Sequence, residues 1–177
     1  MNNFSFVHSV CEATIELPLA SIDIPTWLFN LPDATYQSCS PDHVACGSTH
    51  DLTGKRMSLN VEVIGGNMMV QHYVEEIAEP ARCRMLSISD LFLPEGRTTL
   101  VVAWEMSAVS LSEHSSTFTN RVEVKTNDDF LTYLSKHNVA IDAATEAIQK
   151  ATDIHNAYET PRFAESIQAS IKTLTSA

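Results

Sequence analysis

The sequence predicts an α+β fold, a curved antiparallel sheet of about seven strands wrapped around a long C-terminal helix. Three observations carry this. Ser116 to Thr126 alternates Phe118, Val122 and Val124 against Thr119, Arg121 and Glu123, the period of a strand. Asn127-Asp128-Asp129 then supplies a helix N-cap and early negative charge. After it, Phe130, Leu131, Leu134, Ile141, Ala144, Ile148, Ala151 and Ile154 recur at helical spacing. Almost everything upstream reads as β, and a long helix with an apolar face needs such a surface to bury it.

The elements follow in order. Phe4 to Leu17 is a first strand, with Val7, Cys11, Ala13, Ile15 and Leu17 alternating with Glu12, Thr14 and Glu16. Pro18 stops it. Leu19 to Leu31, interrupted by Pro25, suits a short broken helix ended by Pro32-Asp33. From Thr35 the chain turns β again, with a strand over His43 to Asp51. Arg56 to Ile64 sets Met57, Leu59, Val61 and Val63 against Ser58, Asn60 and Glu62, so the first set is expected to face the core. Gly65-Gly66-Asn67 is a hairpin signal. Strands follow over Met68 to Ala78, Arg82 to Phe92, Thr98 to Ser107 and Ser116 to Thr126, with turns at Glu79-Pro80, Pro94-Glu95-Gly96 and Ser110 to Ser115. Short connections make the last six strands an antiparallel meander. Glu159-Thr160-Pro161 reads as a helix stop, so residues 1–158 are expected to form one domain. Residues 159–177 are then an extra C-terminal helical segment, whose Phe163, Ile167, Ile171 and Leu174 favour docking.

The 177 residues, 44% of them hydrophobic, suffice for one buried core. A net charge of −11, with 11 thinly spread basic residues, argues against a nucleic-acid partner. No apolar run is long enough for a membrane span. The N-terminus lacks a basic, signal-like start, so a cytoplasmic location is expected. Cys11, Cys39, Cys46 and Cys83 form no C-x-x-C pair and are read as reduced thiols. A homodimer is compatible with the sequence.

The element order resembles the helix-grip fold of the START-like superfamily, also called Bet v 1-like or SRPBCC. Phe118-Thr119-Asn120-Arg121-Val122-Glu123-Val124 followed by Asn127-Asp128-Asp129-Phe130 carries the resemblance, together with the strand-and-helix opening from Ser9 to Leu31. The glycine-rich loop common in the family is weak here, with only Gly47 and Gly54. The resemblance implies an apolar cavity between sheet and long helix that binds a hydrophobic small molecule. It also implies an alternative, a cyclase or aromatase, or a zinc-dependent hydrolase, acting on polyketide-like or aromatic substrates in the same cavity.

The expected lining is Tyr73, Leu100, Val102, Trp104, Met106, Phe118, Asn120, Phe130 and Leu134. Trp104 and Met106 offer large polarisable contact area, although plain core packing explains them as well. Asn120 is polar on an apolar face, so it must hold a ligand or be satisfied within the protein. His72 and Tyr73 point to opposite faces of one strand, and Tyr73 is taken as the inward one. Tyr73, His72 and Glu105 are the acid–base candidates. His155 and Glu159 stand at i and i+4 on one helix face. That spacing resembles the phloretin- and diacetylphloroglucinol-hydrolase branch, which takes zinc ligands from a C-terminal helix and from strands. His72, Glu105 or His114 would have to complete such a site, and a solvated helix face explains the pair equally. The sequence by itself therefore assigns no metal and no cofactor. It contains no G-x-S-x-G and no phosphate-binding glycine loop.

Overall fold

The computed structural model describes residues 4–175. Seven strands form one antiparallel sheet: β1 (Ser5–Ile15), β2 (His43–His50), β3 (Arg56–Ile64), β4 (Asn67–Glu79), β5 (Arg82–Leu93), β6 (Gly96–Ser110) and β7 (Ser116–Lys125). Their order is β1-β7-β6-β5-β4-β3-β2. The meander of β2 to β7 is as expected from its short turns. At β3–β4 the turn residues Gly65 and Gly66 have φ of 58° and 82°, the left-handed pair a two-residue hairpin requires. β1 returns to close the far edge against β7, pairing Cys11 with Asn120.

Between β1 and β2 lie a 3-10 turn (Leu19–Ser21), α1 (Ile24–Phe29) and α2 (Asp33–Cys39). Asp23 caps α1 by accepting from the Thr26 amide, and Pro25 occupies its first turn. Proline was expected to end the helical region at Pro32-Asp33. Instead Pro32 is the N-cap of α2, a position where the missing N–H costs nothing.

The single long helix expected after Asn127 is two. α3 (Asp128–Lys136) is capped by the Asn127 side chain on the Phe130 amide. It stops where Asn138 takes a positive φ of 55°, and α4 (Ile141–Thr175) then runs on without a break at Pro161. Proline removes one helix hydrogen bond. Side chains serve the carbonyls on either side: Thr160 Oγ1 donates to the Asn156 carbonyl at 2.5 Å and Arg162 Nη1 to that of Tyr158 at 2.6 Å.

The other revision concerns β3. Its period is two, but the inward face is the polar one: Ser58, Asn60 and Glu62 are buried while Met57, Leu59, Val61 and Val63 are half-buried or exposed. The sheet's concave side is apolar toward β6 and β7, with Leu100, Val102, Trp104, Met106, Phe118 and Val124 all buried. α4 packs chiefly along β1 and β7, and Phe163, completely buried, ties it to the rest. Its ring lies 5.4 Å from Trp27 of α1 and 5.9 Å from Trp104 of β6. Phe163→Ala should therefore destabilise the protein by about 3–5 kcal/mol, measured by urea unfolding. A loss below about 1 kcal/mol, the level of a surface substitution, would show that residues beyond Pro161 add little to the core.

Candidate functional site

Between the sheet, α3 and α4 lies a cavity of about 590 Å³, a volume suited to a small organic molecule. Tyr73, Leu100, Val102, Trp104, Phe130 and Leu134 line it, joined by Met69, Leu91, Val124 and Ile148. Met106, Phe118 and Asn120 are fully buried but lie off its wall, at the end where α4 closes on β1 and β7. The polar atoms of Asn120 are spent inside the protein. Trp104 Nε1 donates to its Oδ1 at 2.7 Å, and its Nδ2 donates to Glu159 Oε1 at 3.0 Å and Thr160 Oγ1 at 3.2 Å.

Glu62, His155 and Glu159 form the polar end of the cavity. β2 and β3 pair His43 directly with Glu62, which sets the two side chains together on one face. One turn of α4 brings His155 and Glu159 over them. His43 Nε2 is 3.1 Å from Glu159 Oε2 and 3.8 Å from Glu62 Oε1. His155 Nε2 is 3.3 Å from Glu159 Oε2 and 3.9 Å from Glu62 Oε2. All four residues are buried.

A second group orients each of the four. His43 Nδ1 sits 2.7 Å from the Tyr36 carbonyl and donates to it, because a carbonyl can only accept. Tyr36 also stacks on the His43 ring, centroids 3.9 Å apart, and its hydroxyl donates to Glu62. His155 Nδ1 faces the Asp42 carboxylate at 3.2 Å, and Asn120 holds Glu159. Both Nε2 atoms are thereby turned on the two carboxylates. Atoms that carry lone pairs converge this closely only around a shared cation, either protons or a metal ion.

In the metal-free protein the positive charge is that of the protonated His155 imidazole. Burial opposes a charge on His155, but the Glu159 carboxylate, Glu62 and Asp42 overcome it and raise its pKa to about 10. Burial would raise Glu159 as well, but the charge and hydrogen bonds of His155 and His43 outweigh it and lower the carboxyl to about 2. Glu62 moves the other way, raised by burial and by the Glu159 charge. Burial, with the Glu62 charge next, also pushes the Tyr36 and Tyr73 phenols well above 10.

The histidine–carboxylate donor set fits zinc. His43, His155 and Glu159 offer ligand atoms within 4.8 Å of one another, Glu62 oxygens lie 3.8 and 3.9 Å from the two Nε2 atoms, and the hydrogen bonds to both Nδ1 atoms are the outer support that metal-binding histidines use. The sheet residues considered for completing the His155–Glu159 pair lie elsewhere. Glu105 is bridged to Arg82 and Arg84 on the outer face, His72 points away from Tyr73, and His114 is in an exposed turn. His43 and Glu62 escape a linear reading because Glu62 sits on a strand face that looks solvated. The one available signal was the polar run Ser58, Asn60, Glu62 itself. The four cysteines are free thiols, and no helix among the described residues is long and apolar enough to cross a membrane.

No family model matches the chain, and the search of curated proteins found no match. Solved structures do match. The Zhui aromatase/cyclase from Streptomyces sp. R1128 superposes with a TM-score of 0.63 at 11% identity, over 95% of this chain and 94% of that one. The di-domain aromatase/cyclase StfQ from the steffimycin biosynthetic pathway gives 0.58 at 11%, over 97% of this chain and 53% of that one. A START superfamily protein from Mycobacterium smegmatis gives 0.53 at 12%, over 94% and 98%. The chain thus has the helix-grip fold shared by START-like proteins and aromatase/cyclases.

The ion pair has a pH signature in metal-free protein. The His155 contribution is complete below its unfolded pKa of 6.5 and lost as pH rises through about 10. The Glu159 contribution is complete above 4.5 and lost as pH falls through about 2. Both are present near pH 5.5. With a chelator present, Glu159→Gln should cost about 3–5 kcal/mol there and clearly less near pH 10.5, by urea unfolding at the two values. An equal cost at both would mean that His155 does not lose a charge between the two values, against the ion pair described.

Proposed function

We propose that the chain binds a hydrophobic, carbonyl-bearing small molecule in the cavity and hydrolyses it with the help of a zinc ion held by His43, Glu62, His155 and Glu159. One observation carries this reading: four metal-ligating side chains from β2, β3 and α4 converge at the end of an apolar cavity, each steered by a further hydrogen bond. The resemblance of His155 and Glu159 to the zinc-dependent phloretin- and diacetylphloroglucinol-hydrolase branch points the same way. A zinc ion bound there supplies a Lewis acid for a carbonyl oxygen and lowers the pKa of a bound water.

The chain's own groups do the rest. Leu100, Val102, Trp104, Phe130 and Leu134 take the apolar body of the ligand out of water, at about 25 cal/mol per Å² of apolar surface buried. Asn120 keeps Glu159 from turning toward the ligand. Asp42 keeps the proton of His155 on Nδ1, and the Tyr36 carbonyl does the same for His43, so both Nε2 lone pairs stay available.

A second reading is supported by the likeness to the Zhui aromatase/cyclase. In it the same cavity cyclises or aromatises a polyketide-like chain, and Glu62, His155 and Tyr73 move protons without a metal. Zinc separates the two. Protein purified without chelator should carry about one zinc per chain by elemental mass spectrometry, and added zinc should raise the Tm of the stripped protein. Asp42→Asn should weaken zinc binding roughly 10–100-fold. If zinc neither co-purifies nor shifts Tm, the hydrolase reading falls and the cyclase reading stands.

Occupancy of the cavity is tested separately. Ala144 lies on its wall, and Ala144→Trp should fill it. That variant should lose most Nile red fluorescence enhancement while its circular dichroism stays unchanged. Undiminished dye binding would place the ligand outside.

A further inference from the structure

The cavity holds polar groups that the metal cluster does not use. β3 and β4 pair Asn60 with Gln71, and both side chains line the cavity. Gln71 is only 4% exposed, yet its Oε1 has no hydrogen-bond partner among the described residues. The other buried oxygen in that condition, Thr98 Oγ1, does not belong to a residue on the cavity wall. The hydroxyl donors of Ser58 and Ser89 are already engaged. Ser58 Oγ donates to Asn60 Oδ1 at 2.7 Å, and on β5 Ser89 Oγ donates to Ser87 Oγ at 2.9 Å. Ser87 Oγ in turn accepts from the His72 amide at 2.8 Å.

A buried carbonyl oxygen left unpaired is costly, and native proteins rarely keep one without a use. An apolar side chain would fit the position at no such cost. Its neighbours along β4 on the same face, Met69 and Tyr73, show that large side chains are accepted there. The acceptor is therefore suited to a donor that arrives with the ligand.

We propose that Gln71 is a specificity-determining residue of the cavity, its Oε1 accepting a hydrogen bond from a hydroxyl or N–H of the bound molecule. This deepens the proposed function and rests on its cavity-binding part. Placement limits the ligand further. Glu62 lies two residues along β3 from Asn60, about 7 Å at the rise of a strand, and Asn60 is the cross-strand partner of Gln71. A molecule about one aromatic ring long reaches from the Gln71 amide to the His43–Glu62–His155–Glu159 cluster. The ligand this placement suits has an apolar body with a carbonyl at the cluster and a hydroxyl or N–H donor at Gln71.

Three probes that share a carbonyl and an aromatic body test this: 4-hydroxybenzophenone, 4-methoxybenzophenone and benzophenone, titrated against the zinc-loaded full chain by calorimetry. The wild type should bind the hydroxyl probe at least about tenfold more tightly than the other two, since a site built for a hydroxyl discriminates strongly against its absence. Gln71→Met keeps the volume and removes the acceptor. It should abolish the preference and hold benzophenone as tightly as the wild type or more so, which also reports that the variant is folded. Equal affinity of the wild type for all three probes overturns the assignment of Gln71 and leaves the cavity reading standing. A preference that survives in Gln71→Met overturns it too. Failure of every probe to bind the wild type overturns the cavity reading, and this inference with it.

Discussion

Two carboxylates and two imidazoles are held together out of water, and a cation shared among them is what makes that tolerable. Removing ionised groups from water is expensive unless each is paired and hydrogen-bonded. Here every member has a partner outside the cluster. Glu159 is tied to Asn120, Glu62 to Tyr36, His43 to the Tyr36 carbonyl and His155 to Asp42. The polar thread continues through Trp104, which donates to Asn120. Sheet, α2 and α4 thus meet at one electrostatic knot as well as at a hydrophobic contact.

That knot explains features that look like faults in isolation. Pro161 sits in the middle of α4 within two residues of Glu159. The carbonyls around it are served by Thr160 and Arg162, and Thr160 itself accepts from Asn120. The helix continues through a residue that ordinarily interrupts one, with Glu159 and Thr160 beside it buried against the cluster. The polar inner face of β3 has the same logic. Such a face would be a defect in a purely structural sheet, but it lets β3 supply Glu62 and Asn60 to a cavity whose opposite wall is apolar.

The likeness to aromatase/cyclases and START-like proteins, at 11–12% identity, is a likeness of architecture. Function on such a scaffold resides in the side chains that reach the cavity. In this chain those are an apolar wall from β6 and α3, a histidine–carboxylate cluster from β2, β3 and α4, and an unsatisfied amide on β4. Together they make a cavity that is apolar along most of its wall and polar at the cluster and at Gln71.

Much of this was legible in the linear sequence. Alternation and turn signals located all seven strands to within about three residues at each end, the Gly65-Gly66 turn fixed one hairpin, and Asn127 marked the start of α3. Those are local signals, set by backbone sterics and by side chains a few residues apart. The i, i+4 spacing of His155 and Glu159 was equally visible. What the alternation could not say is which face of β3 turns inward, since hydropathy alone gives the apolar side whereas the chain buries Ser58, Asn60 and Glu62. Nor could it place His43 and Glu62 beside a helix more than ninety residues away, show that Asn120 serves Glu159, or reveal that Gln71 Oε1 has no partner among the described residues. Each of those is a long-range contact, created only when β2, β3 and α4 fold around the same space.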